Sequence, residues 1–166
     1  MQLSHYTTNF KKHTFPITIV CDNVVNAPNI GSLFRLADAF GIEELVFCGD
    51  DISLGKRMKR TSRSTEKYVN YRIESDIHGV ISNLKEKQYQ ILALEITNSS
   101  HPLSELKVNN NQPIAMIVGN ENFGISESVL KKVDQTVHIT MYGNNSSMNV
   151  VQATAIGLYV LTKQMI

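Results

Sequence analysis

Three polar segments of this chain each follow an apolar run or open a helical pattern. They are Asn29-Ile30-Gly31 with Arg35, Gly119 to Gly124, and Tyr142 to Asn149. In open α/β sheets, ligands bind outside the carboxyl ends of the strands, which is where such segments fall. The first segment indicates phosphate binding, because the free amides of a helix start and an arginine fork both bind phosphate.

Arg35 follows Gly31 by one helical turn, and helical side chains lean towards the N-terminus. We therefore expect the guanidinium of Arg35 to lie back across Gly31 and to reach the helix start near Asn29. The alternative is a surface arginine beside a glycine that packs against another helix, with Asn29 serving as a plain N-cap.

The segment Gly119-Asn120-Glu121-Asn122-Phe123-Gly124 follows the apolar run Ile114 to Val118. It is not a P-loop, because Lys-Ser/Thr does not follow its last glycine, and it does not match GxGxxG. A simple turn between strand and helix is the alternative. In the third segment, Ser147 and Asn149 enter a very apolar helix, where Ser147 could simply be the cap.

A cluster of positive charge lies between Lys56 and Arg72. Seven basic residues stand there against Glu66 alone, so this segment carries +6 in a chain of net charge +1. Interleaved hydroxyls such as Thr61 and Ser62 add neutral phosphate donors. A solvated loop is the alternative, but the cluster favours a nucleic-acid partner.

Length and composition indicate a single domain spanning 1–166, with 42% hydrophobic and 19% charged residues. The first sixteen residues have no apolar stretch typical of a signal peptide, and no run is long enough to span a membrane. Cys21 and Cys48 lie inside apolar runs and are expected to be packed thiols. The histidines show no zinc-site spacing, so we expect no metal. These features predict a cytoplasmic protein.

Short β-branched runs alternate with helical patterns along the chain, which predicts an α/β fold with a parallel sheet covered on both faces. The predicted strands are 17–21, 44–48, 69–73, 91–95, 114–118 and 136–139. The predicted helices run from Pro28 to Gly41, from the expected cap Ser75 past Leu84, over 126–133 and over 149–163. The basic segment is expected to be a loop.

The last helix is apolar on nearly every face. Ala153, Ala155 and Gly157 would allow another element to approach closely. One interpretation is a homodimer interface on this helix, and the other is burial against the sheet.

In this order and spacing, the three segments resemble the motifs of the SpoU (TrmH-type) branch of the SPOUT RNA methyltransferases. The matching residues are Asn29-x-Gly31-x-x-x-Arg35 with Ala39-Phe40-Gly41, Gly119-Asn120-Glu121-x-x-Gly124-Ile125-Ser126, and Ile139-x-Met141-x-Gly143 leading to Ser147-Met148-Asn149-Val150. The resemblance runs from about Ile17 to the C-terminus. Thr140 stands where the family usually has proline, and Ser64 where its RNA-binding loop usually has glycine.

The resemblance implies a parallel-sheet SPOUT fold with a C-terminal trefoil knot, an obligate homodimer, and S-adenosylmethionine-dependent methylation of a ribose 2′-hydroxyl without a metal. It implies catalytic roles for Asn29, Arg35, Glu121, Ser147 and Asn149. It places the cofactor against a larger set, Leu94, Glu95, Thr97, Gly119, Ile139, Ser147 and Met148. RNA binding is expected from Arg35, Lys56, Arg57, Lys59, Arg60 and Arg63.

The short chain favours tRNA over rRNA as the substrate. The family assigns proton acceptance to the position of Arg35, but a guanidinium stays protonated in ordinary settings. We therefore expect Arg35 to grip a phosphate and to stabilise the developing alkoxide. The rival readings are a non-catalytic RNA-binding protein, a flavodoxin-like or Rossmann nucleotide binder, and a methyltransferase for small molecules or proteins.

Overall fold

The chain folds into one sheet with helices on both faces, and the computed structural model describes residues 10–166. Residues 1–9, part of the segment on which the signal-peptide expectation rests, lie outside the described residues. Within 10–166, seven strands form the sheet: Phe15–Asp22 (β1), Ile42–Cys48 (β2), Tyr71–Glu74 (β3), Gln90–Leu94 (β4), His101–Pro102 (β5), Ile114–Val118 (β6) and Gln135–His138 (β7). The two-residue β5 is too short for a periodic signal, and the sequence did not predict it.

Five α-helices occur within the same residues: Ala27–Phe40 (α1), Lys56–Ser62 (α2), Ile77–Glu86 (α3), Glu127–Leu130 (α4) and Val150–Gln164 (α5). The first four connect strands, and α5 follows β7. The cap of α3 is Asp76, whose side chain accepts a hydrogen bond from His78 N, so the prediction of Ser75 was wrong. The expected loop of basic residues is also wrong in part, because α2 occupies its first half.

The strands lie in the order β3-β2-β1-β6-β4-β7-β5, and each neighbouring pair is parallel. One face of the sheet packs against α1, α2 and α5, and the other against α3 and α4. Side chains alternate between the two cores, so Ile19 and Cys21 join the first core and Val20 joins the second. The expected α/β parallel sheet is confirmed.

Two residues set the ends of α1. Asn26 accepts a hydrogen bond from Asn29 N at 3.2 Å and is therefore the N-cap, a role the sequence had offered to Asn29. Pro28 in the first turn costs no internal hydrogen bond. Gly41 ends the helix at φ +59°, and a Cβ there would collide with the carbonyl of His13. The helix therefore positions Asn29 within its first turn.

The last helix, α5, lies against the sheet. Gly157 is buried, and a Cβ on it would lie 2.8 Å from Met116 Sδ, so this glycine allows α5 to approach β6. The far side of α5 exposes Ile156 and Tyr159 by 38% and 59%. None of the helices within 10–166 has the length and apolarity needed to cross a membrane.

Candidate functional site

A cleft of about 600 Å³ opens beyond the carboxyl ends of β4, β6 and β7. Its volume falls in the usual range for small-molecule sites, about 300–1,000 Å³. All the residues expected to hold a cofactor line it: Leu94, Glu95, Thr97, Gly119, Ile139, Ser147 and Met148. Because the parallel strands end at one edge, residues up to 54 positions apart in sequence meet there.

The loop after β6 forms one lip of this cleft. Asn120 and Gly124 exchange backbone hydrogen bonds of 3.1 and 2.9 Å, which closes the loop into a tight turn. Gly124 adopts φ +67°, a conformation that favours glycine. The side chain of Asn120 accepts from Asn122 N at 2.8 Å and donates to Asn23 O at 2.8 Å. The loop is therefore fixed both internally and to the end of β1.

Two carboxylates, one at the end of β1 and one directly after β4, hold the chain that leaves this loop. Glu95 accepts a hydrogen bond from Ile125 N at 3.0 Å, and Asp22 accepts one from Ser126 N at 3.1 Å. Asp22 is only 2% exposed. Glu95 was expected to face the cofactor, and its side chain also braces the cleft. Sequence reasoning missed Asp22, although an acid that ends a buried strand is an unusual signal.

Three of the predicted catalytic residues meet beside the cleft. Asn149 Nδ2 donates to Asn29 Oδ1 at 3.2 Å, and Asn29 Nδ2 donates to Glu121 Oε1 at 2.5 Å. Asn149 also caps α5, because its Oδ1 accepts from Val151 N at 2.8 Å, so the alternative that Ser147 is the cap was wrong. The chain of hydrogen bonds thus joins the starts of two helices to the loop after β6.

The surroundings of Gly31 differ from the expectation that Arg35 lies across it. Gly31 packs against α2. A Cβ added to Gly31 would lie 2.5 Å from Met58 O and 2.9 Å from Ser62 N. Arg35 lies about 40° around the helix from Gly31, at 100° per residue. Arg35 is exposed, and within 10–166 it forms no hydrogen bond or ion pair with Asn29 or Glu121. The alternative reading of Gly31 as a helix-packing glycine was the correct one.

The expected RNA-binding residues gather around α2. Lys56, Arg57, Lys59 and Arg60 are exposed on this helix, while Met58 is buried against the core. Arg63 follows the helix end at φ +52° and is also exposed. Since α2 packs on the Gly31 face of α1, these cations lie on the side of the molecule that also carries Arg35.

Not every basic residue between Lys56 and Arg72 is available to bind RNA. Arg72 lies on β3, where its guanidinium pairs with Glu44 at 3.2 Å and with Glu74 at 2.8 Å. The turn after α2 is stabilised by a side-chain hydrogen bond that the hydroxyl of Ser62 donates to Glu66. This hydrogen bond lowers the pKa of Glu66. The two ion pairs of Arg72 therefore give it a structural role.

One wall of the cleft depends on a histidine that sequence reasoning did not assign. Ser100 Oγ accepts from Thr97 N, donates to Thr97 O, and lies 2.9 Å from His138 Nδ1. Ser100 therefore joins the backbone of Thr97 to the ring of His138. Both His138 and Thr97 line the cleft, so this contact fixes the wall after β4. No group of three or more possible metal ligands occurs in the described part of the chain.

The chain is similar to known proteins in both sequence and fold. The chain is 28% identical to a tRNA (guanosine(18)-2′-O)-methyltransferase of Thermus thermophilus, over 89% of this chain and 75% of that protein. Its fold superposes on the A. aeolicus TrmH/SpoU tRNA modifying enzyme with a TM-score of 0.82 at 27% identity, covering 92% and 77% of the two chains. It also matches the fold of the AviRb methyltransferase of Streptomyces viridochromogenes in complex with AdoMet (TM-score 0.81, 22% identity, 93% and 62% covered). Residues 16–159 match the SpoU rRNA Methylase family, and the chain belongs to that family.

Proposed function

We propose that this protein is an S-adenosylmethionine-dependent tRNA 2′-O-ribose methyltransferase. The observation that carries the proposal is the cleft, which gathers all seven expected cofactor residues beside the hydrogen-bonded chain Asn149–Asn29–Glu121. The family and the similarity to tRNA 2′-O-methyltransferases support the same reaction.

The residues of the cleft suit this cofactor by their chemistry. Leu94, Ile139 and Met148 supply apolar surface for a purine ring, while the hydroxyls of Thr97 and Ser147 suit a ribose or an amino-acid group. Glu121 adds a carboxylate at the lip, which favours a positively charged ligand. We assign the holding of the cofactor to this set together with Glu95 and Gly119.

When bound, the cofactor would supply a methyl group on a cationic sulfur for transfer to a ribose 2′-oxygen. The 2′-proton would pass to a phosphate oxygen or water. The protein must hold the ribose in line for this transfer. Asn29, Glu121, Ser147 and Asn149 are the polar groups placed for that work. Their mutual hydrogen bonds fix three of the four before RNA arrives.

Arg35 and the cations of α2 are assigned to the RNA phosphates. A guanidinium forms paired hydrogen bonds to phosphate and remains charged, so Arg35 grips the backbone next to the target ribose and stabilises the developing alkoxide. Its exposed position beside α2 supports a contact with an RNA chain that runs along Lys56, Arg57, Lys59, Arg60 and Arg63.

Four further properties belong to the same proposal. The 1–166 chain acts as one methyltransferase domain, and a tRNA substrate places it in the cytoplasm. Two copies pair through α5, a role supported by the exposed Ile156 and Tyr159 on its outer side. The C-terminal segment forms a trefoil knot, supported by the position of α5, whose Gln164 bonds Leu106 O and Val108 N in the connection before β6.

The test is transfer of radiolabel from S-adenosylmethionine to total tRNA, with rRNA in parallel and Arg35→Ala as the control protein. We expect the wild-type protein to transfer label to tRNA and the Arg35→Ala variant to transfer none. Label in rRNA alone would support the alternative substrate that the family's name suggests. RNA binding by the wild type with neither cofactor binding nor transfer would instead support a non-catalytic RNA-binding protein.

A further inference from the structure

The loop after β6 presents one aromatic ring to solvent at the lip of the cleft. Phe123 lines the cleft, yet 88% of its surface is exposed. Such a ring in water forgoes the free energy that burial of an aromatic side chain would contribute. Among the described residues of this loop, from Gly119 to Gly124, it is the only large apolar side chain.

The backbone that carries this ring is held in place. Phe123 N donates to Asn120 Oδ1 at 3.2 Å, and the next residue, Gly124, donates to Asn120 O at 2.9 Å. Asn120 is itself bonded to Asn23. Because the loop is already ordered, a ligand that covers the ring need not order the backbone on binding.

The residues around the ring indicate what kind of ligand it binds. The adjacent Glu121 and Asn122 are both exposed, so the lip is a single ring among polar groups. The core of a protein interface is depleted of charge, which this lip is not. The carboxylate of Glu121 disfavours a phosphate at the same place. A nucleobase satisfies both conditions, since its face stacks on an aromatic ring and its edges accept polar contacts.

We propose that Phe123 stacks on an unpaired RNA base at, or next to, the nucleotide whose ribose is methylated, an inference that rests on the proposed function. Phe123 is two residues from Glu121, at most about 7 Å of chain, which is the scale of one nucleoside. Stacking there holds the base while the Asn149–Asn29–Glu121 chain faces the ribose.

The test compares Phe123→Leu, which keeps the apolar bulk, with Phe123→Tyr, which keeps the ring. Phe10→Leu is the matched control, because Phe10 is 85% exposed and does not line the cleft. We expect Phe123→Leu to raise the KM for RNA by roughly 5- to 100-fold while cofactor affinity stays within about 2-fold. Phe123→Tyr and Phe10→Leu should each keep the wild-type KM for RNA.

Three results would overturn the assignment: an unchanged KM in Phe123→Leu, an equal loss of cofactor affinity, or a change of oligomeric state in that variant. The second would assign the ring to the cofactor and the third to a second copy of the chain. If the wild-type protein transfers no methyl group to RNA, the proposed function itself is refuted. That result comes from the wild-type reaction alone, so it is distinguishable from a failure of the Phe123 assignment.

Discussion

Asn29 in the first turn of α1 donates a 2.5 Å hydrogen bond to Glu121 in the loop after β6, across 92 positions of sequence. The side-chain oxygen of Asn29 accepts a hydrogen bond from Asn149 at the start of α5. One side chain therefore fixes three segments relative to one another, and it does so at the edge of the cleft.

Replacing Asn29 should disable catalysis more than cofactor binding. Asn29→Ala removes both hydrogen bonds of the amide, so the loop and the start of α5 lose their common partner. We expect kcat to fall by about 100-fold, the cost of a small misplacement of reacting groups, with cofactor affinity within about 3-fold. Single-turnover kinetics and calorimetric titration measure the two. Asn83→Ala, on the exposed side of α3, is the control, and equal loss in both variants would contradict a specific role.

The close approach of α1 and α2 should make Gly31 intolerant of a side chain. In Gly31→Ala the new Cβ meets Met58 O at 2.5 Å, and backbone cannot yield as a side chain can. We expect a loss of about 1–3 kcal/mol in the free energy of unfolding, measured by urea denaturation. Gly143 has no atom within 4 Å of an added Cβ, so Gly143→Ala should be neutral. A Gly31→Ala protein as stable as the wild type would show that α2 moves freely.

The sequence predicted most of the fold because periodicity is local. Buried strands such as β6 and the amphipathic α1 and α3 carry their own signal. The helix α2 carries almost none, since Met58 and Ser62 are its only buried residues, and a charged stretch is indistinguishable from a loop. The order of the strands depends on pairings between distant segments, which no local pattern encodes.

The same distinction applies to the site. The order and spacing of the motifs identified Asn29, Glu121 and Asn149, which the structure brings together. They could not reveal that α2 occupies the face of α1 at Gly31, where Arg35 was expected to lie. The bracing of the loop by Asp22 was equally hidden, because it joins residues 104 positions apart.

The cations of α2 should determine how RNA binding depends on salt. Each phosphate contact contributes roughly 0.7–0.9 to the slope of log affinity against log salt concentration. Arg60→Ala should weaken binding and lower that slope by about one, as measured by filter binding over a salt series. Lys131→Ala is the control, because Lys131 pairs with Glu127 on α4, against the opposite face of the sheet. Equal slopes for Arg60→Ala and the wild type would place the RNA elsewhere.

Ser64 should be replaceable by glycine with a gain in stability. Ser64 follows Arg63 at φ +68°, a left-handed conformation that costs a residue with a Cβ about 1 kcal/mol. Ser64→Gly relieves this strain and should raise the melting temperature by roughly 1–4 °C. Scanning calorimetry gives the value, and a lower melting temperature would show that the serine side chain contributes more than its strained backbone costs.

Both cysteines should resist thiol reagents in the folded protein. Burial raises the pKa of the Cys48 thiol to about 12 and holds the pKa of Cys21 well above its ordinary value. At pH 8 the reactive thiolate is therefore scarce in the native state, whereas unfolding restores an ordinary pKa near 8.5. Ellman's reagent should react only after denaturant is added. Rapid native reaction would mean that these strands open readily.

The position of the methyl group on the RNA is the most direct test of the account. Alkali cleaves RNA through the free 2′-hydroxyl, so a 2′-O-methyl group protects the adjacent linkage. RNA labelled by the wild-type protein should release its label as alkali-resistant dinucleotides. Label released as mononucleotides methylated on the base would contradict ribose methylation by this cleft.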